Sequence, residues 1–481
     1  MYRRDRAGKY PGFTGRSPVG VQDADQASLI DLSWVRRMKY VKNTAKILIV
    51  TALVVLALCA LSRVLQNKSS RFNKQPLYDL GISPDVIFVG ASRIHNAIYP
   101  ARLWEKYGIA AYNCASPGEQ TGTTYYVLRQ LLDDVSPKLV VFDLGLVSDT
   151  DEVSWSHEIG YIHESMDFMP LNKNKIELAK NVADYNEMSP LAFLSHITFY
   201  HDRWKELSGD DFKEKYSREL GAEILTRIVS KEAPEIYEPV EAPEALEGAG
   251  FEWLEKMMAL CDEKGVSYMF INLPYATDNE RRQSYEYTYM QEARRRGGYA
   301  LDLLRSMEES GLSFETDFAD SGHVNLMGAV KLTDQLGQYL AGDELSSIVP
   351  DRRGEEAYQI WDKACEDYGY FRAEQADSAE NAAAFAMYAY AWPEVSLKVY
   401  EGEAGNLSRD ENALMAVGAA GGEVLAEDEM TEEEKTVMAD KYDGADKINK
   451  NRMALFLEDR ETGKILAMGL YTYKNEYVPD R

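Results

Sequence analysis

The stretch Asp85-Val86-Ile87-Phe88-Val89-Gly90-Ala91-Ser92-Arg93 decides how this chain of 481 residues is read. Four large apolar residues in a row, with no polar alternation, predict a short strand buried on both faces. Gly90 then predicts a tight turn, with Ser92 just beyond it. The same grammar recurs downstream. Apolar runs at 110–113, 139–145 and 266–273 predict further strands, and 299–303 predicts a weaker one. Helical spacing at 103–107, 123–135, 251–264 and 324–340 lies between or after them, with Pro137 and Gly265 as stops. Strands alternating with helices predict an α/β fold: a parallel sheet flanked by helices in three layers, over residues 85–345.

Two regions break the alternation. Residues 147–245 carry scattered helical patches (175–184 and 211–230) and a Glu/Pro/Ala-rich loop at 232–247, and are expected to form a mostly helical insertion. Residues 350–481 predict a small α+β domain: a helix at 355–368, a small-residue and aromatic stretch at 383–391, a strand at 396–400, and a hairpin from 452–457 and 465–473.

Near the N-terminus, Ile47 to Ser62 is an uncharged run of 16 residues, extended past Arg63 by Val64 and Leu65. About 20 apolar residues span a bilayer. Ten basic residues precede the run and four follow closely. This bias predicts a single-pass helix over 46–65, with the N-terminus cytoplasmic and the main domain extracytoplasmic. A cleaved signal peptide is the alternative. Against it stand a basic region of 46 residues and, before Cys59, the absence of a small residue suited to lipoprotein cleavage. Residues 1–45 are expected to be a basic tail, disordered at least over 1–30, and 66–84 a polar stalk.

The net charge of −26 is unevenly placed: residues 1–74 hold 14 Lys/Arg against 4 Asp/Glu, the remainder 39 against 75. So acidic a body argues against nucleic acid as a partner, because phosphates are repelled. The four cysteines form no CxxC pair and are expected to be free thiols.

Chemistry enters with Asp320-Ser321-Gly322-His323-Val324-Asn325. A serine hydroxyl needs a base to become a nucleophile, and an imidazole base needs an acceptor to fix its tautomer. Ser92, His323 and Asp320 supply these parts in the order Ser…Asp…His. In parallel sheets, sites form beyond the C-terminal strand ends, and both stretches are expected on that edge. The plain alternatives are a turn or capping role for Ser92 and Asp320 and a satisfied polar contact for His323. His95 is expected to be a wall residue. Arg93 is expected to bind an anionic group or to pair with Asp143 or Asp320. His157 and His163, near Asp149, Asp151 and Glu152, lack any recognised metal spacing. His196 and His201 are expected in packing.

The stretches DVIFVGASRIHNAIYPARL, AYNCASPGEQTGTTYYVLRQLL and DSGHVNLMGAVKLTDQL resemble the SGNH/GDSL hydrolase superfamily, and within it the membrane-anchored DltD-like and alginate-acetylase-like envelope proteins. The resemblance covers about residues 84–342. It implies Ser92 as nucleophile, His323 as base and Asp320 as orienting acid. It also implies an oxyanion hole from the backbone N–H groups of Ser92 and Gly118. The superfamily's third block normally adds an Asn side chain, but here the stretch 140–148 has none, and Asn113 is the candidate substitute. Arg93, His95 and Asn325 are the candidate substrate-binding residues. The implied activity is that of an esterase or O-acyltransferase at a bacterial cell membrane. It would act on a cell-surface or secreted polysaccharide or teichoic-type polymer, beside a membrane-bound O-acyltransferase and without metal or cofactor. The alternative is a non-catalytic envelope protein that binds polymer or assembles with such a transferase.

Overall fold

A computed structural model describes residues 22–66, 74–147, 154–212, 219–442 and 447–472. The chain divides into two units, residues 1–65 and 66–481.

The first unit contains one helix, Gln22–Leu65, whose part Arg37–Ser62 is long and apolar enough to cross a membrane. The helix begins inside the stretch expected to be a disordered tail, while residues 1–21 lie outside the described residues.

The second unit is built on five parallel strands: β1 (Val86–Val89), β2 (Ala111–Asn113), β3 (Leu139–Asp143), β4 (Ser267–Asn272) and β5 (Tyr299–Asp302), in the order β2-β1-β3-β4-β5. All four β1 side chains are fully buried. Each such side chain contributes about 1.5–3 kcal/mol of hydrophobic stabilisation, as an upper estimate. The register pairs Val86 with both Ala111 and Leu139, so the strand ends line up on one edge. Helices cover the sheet, among them Thr121–Asp134, Ala249–Lys264, Glu280–Arg295 and Leu326–Leu340.

A second sheet follows: β6 (Val395–Glu401), β7 (Glu423–Ala426), β8 (Arg452–Asp459) and β9 (Ile465–Thr472), in the order β7-β6-β8-β9. The expected hairpin is β8–β9, antiparallel and turning at Gly463; residue 473 lies outside the described residues. This C-terminal region shares its core with the parallel-sheet body. Helix Ala382–Ala391 lies in the same buried cluster as Leu336 and Leu340.

Three expectations change. The stalk ends early, because Lys74 and Leu77 are already buried; residues 67–73 lie outside the described residues. Residues 219–230 form no helix, and 213–218 lie outside the described residues. Helix Glu280–Arg295 appears where none was expected. Its buried face mixes Gln283, Glu286 and Thr288 with Tyr285, Tyr289, Met290 and Ala293, and the polar members blur the apolar periodicity.

Candidate active site

Strand β1 delivers its chain to Gly90, which has φ +151°. A Cβ there would lie 3.0 Å from Ile94 and 3.3 Å from Asp143. Glycine therefore lets the chain turn over the strand end and start helix Ser92–Ala97 at once. Ser92 is the first residue of that helix, above the C-terminal edge of the sheet.

The Asp320–His323 loop approaches from the other side of the sequence. His323 Nε2 lies 2.6 Å from Ser92 Oγ. His323 Nδ1 lies 2.8 Å from Asp320 Oδ1 and 3.0 Å from Oδ2. With Nδ1–H donated to the carboxylate, Nε2 is left to accept the serine proton. Asp320 Oδ1 also accepts the Gly322 and His323 backbone N–H groups, at 2.8 and 3.0 Å. Burial pushes the Asp320 carboxyl up, but the Gly322 N–H and the His323 ring outweigh it and hold the group below its ordinary range. The acid is therefore ionised at neutral pH. The site is open: the side chains of Asp320 and His323 are 41% and 27% exposed.

An irregular strap spanning 219–231 joins the two halves. On the nucleophile side, Glu223 N–H donates to His95 O at 3.1 Å and Asn96 Nδ2 donates to Glu223 O at 3.1 Å. On the acid–base side, Leu326 N–H donates to Leu225 O at 2.7 Å and Arg227 Nε donates to Ala319 O at 2.9 Å. Arg227 Nη2 also lies 3.8 Å from Asp320 Oδ2. These external backbone partners are the reason the helical spacing in this stretch did not prevail.

The loop after β2 is laid beside the nucleophile turn by Ser116 N–H donating to Gly90 O at 3.2 Å. Gly118 has φ +63°, and a Cβ there would lie 2.3 Å from the Tyr161 ring. Its N–H donates no hydrogen bond among the described residues. Behind this loop, buried Lys74 donates to Ser116 Oγ and, at 3.3 Å, to Glu119 Oε2. Burial raises the Glu119 carboxyl, against the pull of Lys74.

Four expected site residues have other work. Both Asn113 donors are taken, by Ile94 O at 2.9 Å and Ile98 O at 3.1 Å, so Asn113 brackets helix Ser92–Ala97 and has no donor left for an oxyanion. Asn325 caps helix Leu326–Leu340: its Oδ1 accepts from Met327 and Gly328 N–H, and its Nδ2 donates to Arg227 O and Thr316 O. It is fully buried and cannot touch substrate. Arg93 is only 8% exposed and donates to Leu273 O, with Asp143 Oδ1 at 3.7 Å, so the Asp143 pairing replaces the anion-binding role. His95 is fully buried with Glu223 Oε2 at 3.6 Å, and desolvation, aided by the charge of Lys74, pulls it down to about 3. It is a neutral wall beneath the site.

Residues missed from the sequence are Lys74, Tyr161 and Glu223. Tyr161 stands 43% exposed over Gly118, on helix Ile159–Met166 of the insertion. No motif marks any of the three. His163 has both ring nitrogens engaged, with Asp167 Oδ1 at 2.9 Å and Ala192 O at 3.2 Å. Asp149, Asp151 and Glu152 lie outside the described residues. Among the described residues no three His, Cys, Asp or Glu side chains converge on a metal position. No protein-family model matches the chain, and no curated protein matches it.

Proposed function

We propose that this chain is an SGNH-like serine esterase or O-acyltransferase, held at a cell membrane by helix Gln22–Leu65 with its main body extracytoplasmic. Its substrate is a cell-envelope polysaccharide or teichoic-type polymer. A partnering membrane-bound O-acyltransferase, as in the proteins it resembles, would supply or receive the acyl group. The observation that carries the catalytic part is the 2.6 Å approach of His323 Nε2 to Ser92 Oγ, with Asp320 on the far ring nitrogen.

In this reading His323 takes the Ser92 proton as Oγ attacks an ester carbonyl. The tetrahedral oxyanion is met by the Ser92 and Gly118 N–H groups, each such donor contributing about 2.7–4 kcal/mol to the transition state. His323 returns the proton to the leaving alcohol. Water or a polymer hydroxyl then attacks the acyl-serine, with the same imidazole as base. The open mouth suits a chain-like acceptor better than a small enclosed ester.

The non-catalytic alternative draws support from Asn113, whose taken donors leave the oxyanion without a side-chain partner. A fluorophosphonate probe decides between the two. Labelling of the wild type that Ser92→Ala and His323→Ala both abolish supports the enzyme. Folded wild-type protein that takes no label supports the binding protein.

A further inference from the structure

The Asp320–His323 loop is not part of the sheet, yet its imidazole must stay within hydrogen-bonding reach of a serine that is. One route between them runs through the residue next to the nucleophile. The guanidinium of Arg93 reaches under the turn and donates to Leu273 O, at the end of β4, with Asn272 Oδ1 at 3.5 Å. Three residues further on, Ala276 N–H donates to Ser321 O at 2.8 Å. Ser321 lies between the acid and the base. The path from nucleophile to base loop is thus one peptide unit, one side chain, three residues and one backbone hydrogen bond.

The guanidinium is enclosed on its other sides. Asp143 Oδ1 lies 3.7 Å away, Glu286 Oε1 lies 3.8 Å away, and the Tyr275 ring centre is 5.1 Å from it. Glu286 is itself held by the Tyr275 hydroxyl at 3.0 Å and by Arg282 Nε at 2.8 Å. Gly145 leaves room for the arginine stem, since a Cβ there would lie 2.8 Å from Arg93 Cδ. Tyr275 lies inside the bridging segment, so the charge cluster grips that segment from two points. A lysine ammonium is a point charge on a flexible stem and would lose the planar face over Tyr275 and the reach to Leu273 O while lying between the two carboxylates.

Resting on the catalytic reading above, we propose that Arg93 is a positioning residue that couples the nucleophile turn to the base loop through segment 273–276. It touches no substrate.

The test uses the full chain with Arg93→Lys and Arg93→Met. Three quantities are read: the fluorophosphonate inactivation rate of Ser92, the KM and kcat for an activated ester, and peptide-resolved hydrogen exchange. Arg93→Lys is expected to slow inactivation and kcat at least about tenfold while KM stays within about twofold, because binding at the open mouth is untouched. Exchange is expected to quicken in peptides covering 273–279 and 319–323 and to stay unchanged in β1 and β3. Wild-type rates in both variants overturn the proposal. So does exchange that rises uniformly across the sheet, which marks a residue serving the fold alone. If the wild type takes no label, the enzyme reading fails by itself, and the exchange pattern still judges the coupling.

Discussion

The two halves of the proposed triad are held in opposite ways. Ser92 stands on a turn made by the sheet: a fully buried strand, a glycine at φ +151° with two side chains close to where a Cβ would sit, and a neighbouring arginine enclosed by carboxylates. Asp320 and His323 stand on an exposed loop that largely makes itself, with one carboxylate oxygen gathering two backbone N–H groups and the imidazole. A nucleophile position inherited from the core is costly to disturb and disturbs the fold with it. A base position made by a local turn can be damaged while the fold is left alone.

The largest effect tests whether both halves are needed. Ser92→Ala and His323→Ala should each lower ester turnover by at least about 10⁴-fold, and the double variant should fall no further. Turnover near wild type in either one would end the triad assignment. Asp320→Asn sharpens the contrast. It should lower kcat by about 10³–10⁴-fold through the wrong imidazole tautomer, while the urea midpoint stays near wild type. A large loss of stability would show the loop to be part of the core after all.

On the sheet side, Lys74→Met leaves Glu119 buried without its cation and should cost about 3–5 kcal/mol in urea unfolding. A chain starting after residue 79 should show the same defect, whereas one starting at residue 66 should not. Gly90→Ala should cost about 1–3 kcal/mol and lower turnover as well, since φ +151° and two close neighbours both oppose a methyl group. Loss of activity without loss of stability would contradict a turn built by the core. Read per pH unit, the smallest effect is the stability slope under the nucleophile. His95 is held down to about 3 when folded, while the unfolded chain takes up that proton below about 6.5. Its contribution to stability is therefore full above about pH 6.5 and is lost as pH falls towards 3, at about 1.4 kcal/mol per pH unit. His95→Gln should flatten that part of the stability curve, and an unchanged slope would place the proton uptake elsewhere.

Much of the frame was legible because it is written in apolar runs. All five parallel strands follow from apolar stretches, the fifth a weaker one, and helices Pro100–Tyr107 and Thr121–Asp134 follow from helical spacing, while the short helix Ser92–Ala97 was not foreseen. That Ser92, Asp320 and His323 would meet was legible because a serine, an imidazole and a carboxylate in that chain order invite one another. What escaped was decided by partners distant in sequence. Helix Glu280–Arg295 buries Gln283, Glu286 and Thr288 among its tyrosines, Met290 and Ala293, which blurs the apolar periodicity. Residues 219–230 carry helical spacing, yet their backbone groups bond to His95 and to residues flanking the base loop. Asn113, Asn325 and Arg93 looked available because a sequence does not show that a donor is already taken.

One indole has a consequence for how the protein can be shortened. Strand β2 is an edge of the parallel sheet, and Trp361 Nε1 donates to Ala111 O at 3.3 Å while its ring lies 6.1 Å from that of Trp104, tilted by 34°. A chain ended near residue 350 would strip this cover and free the Ala111 carbonyl on an apolar edge, while Leu220 O still accepts the Asn113 N–H. The C-terminal quarter thus works as a built-in guard against edge-to-edge sticking, and preparations lacking it should be sought in the pellet before the supernatant.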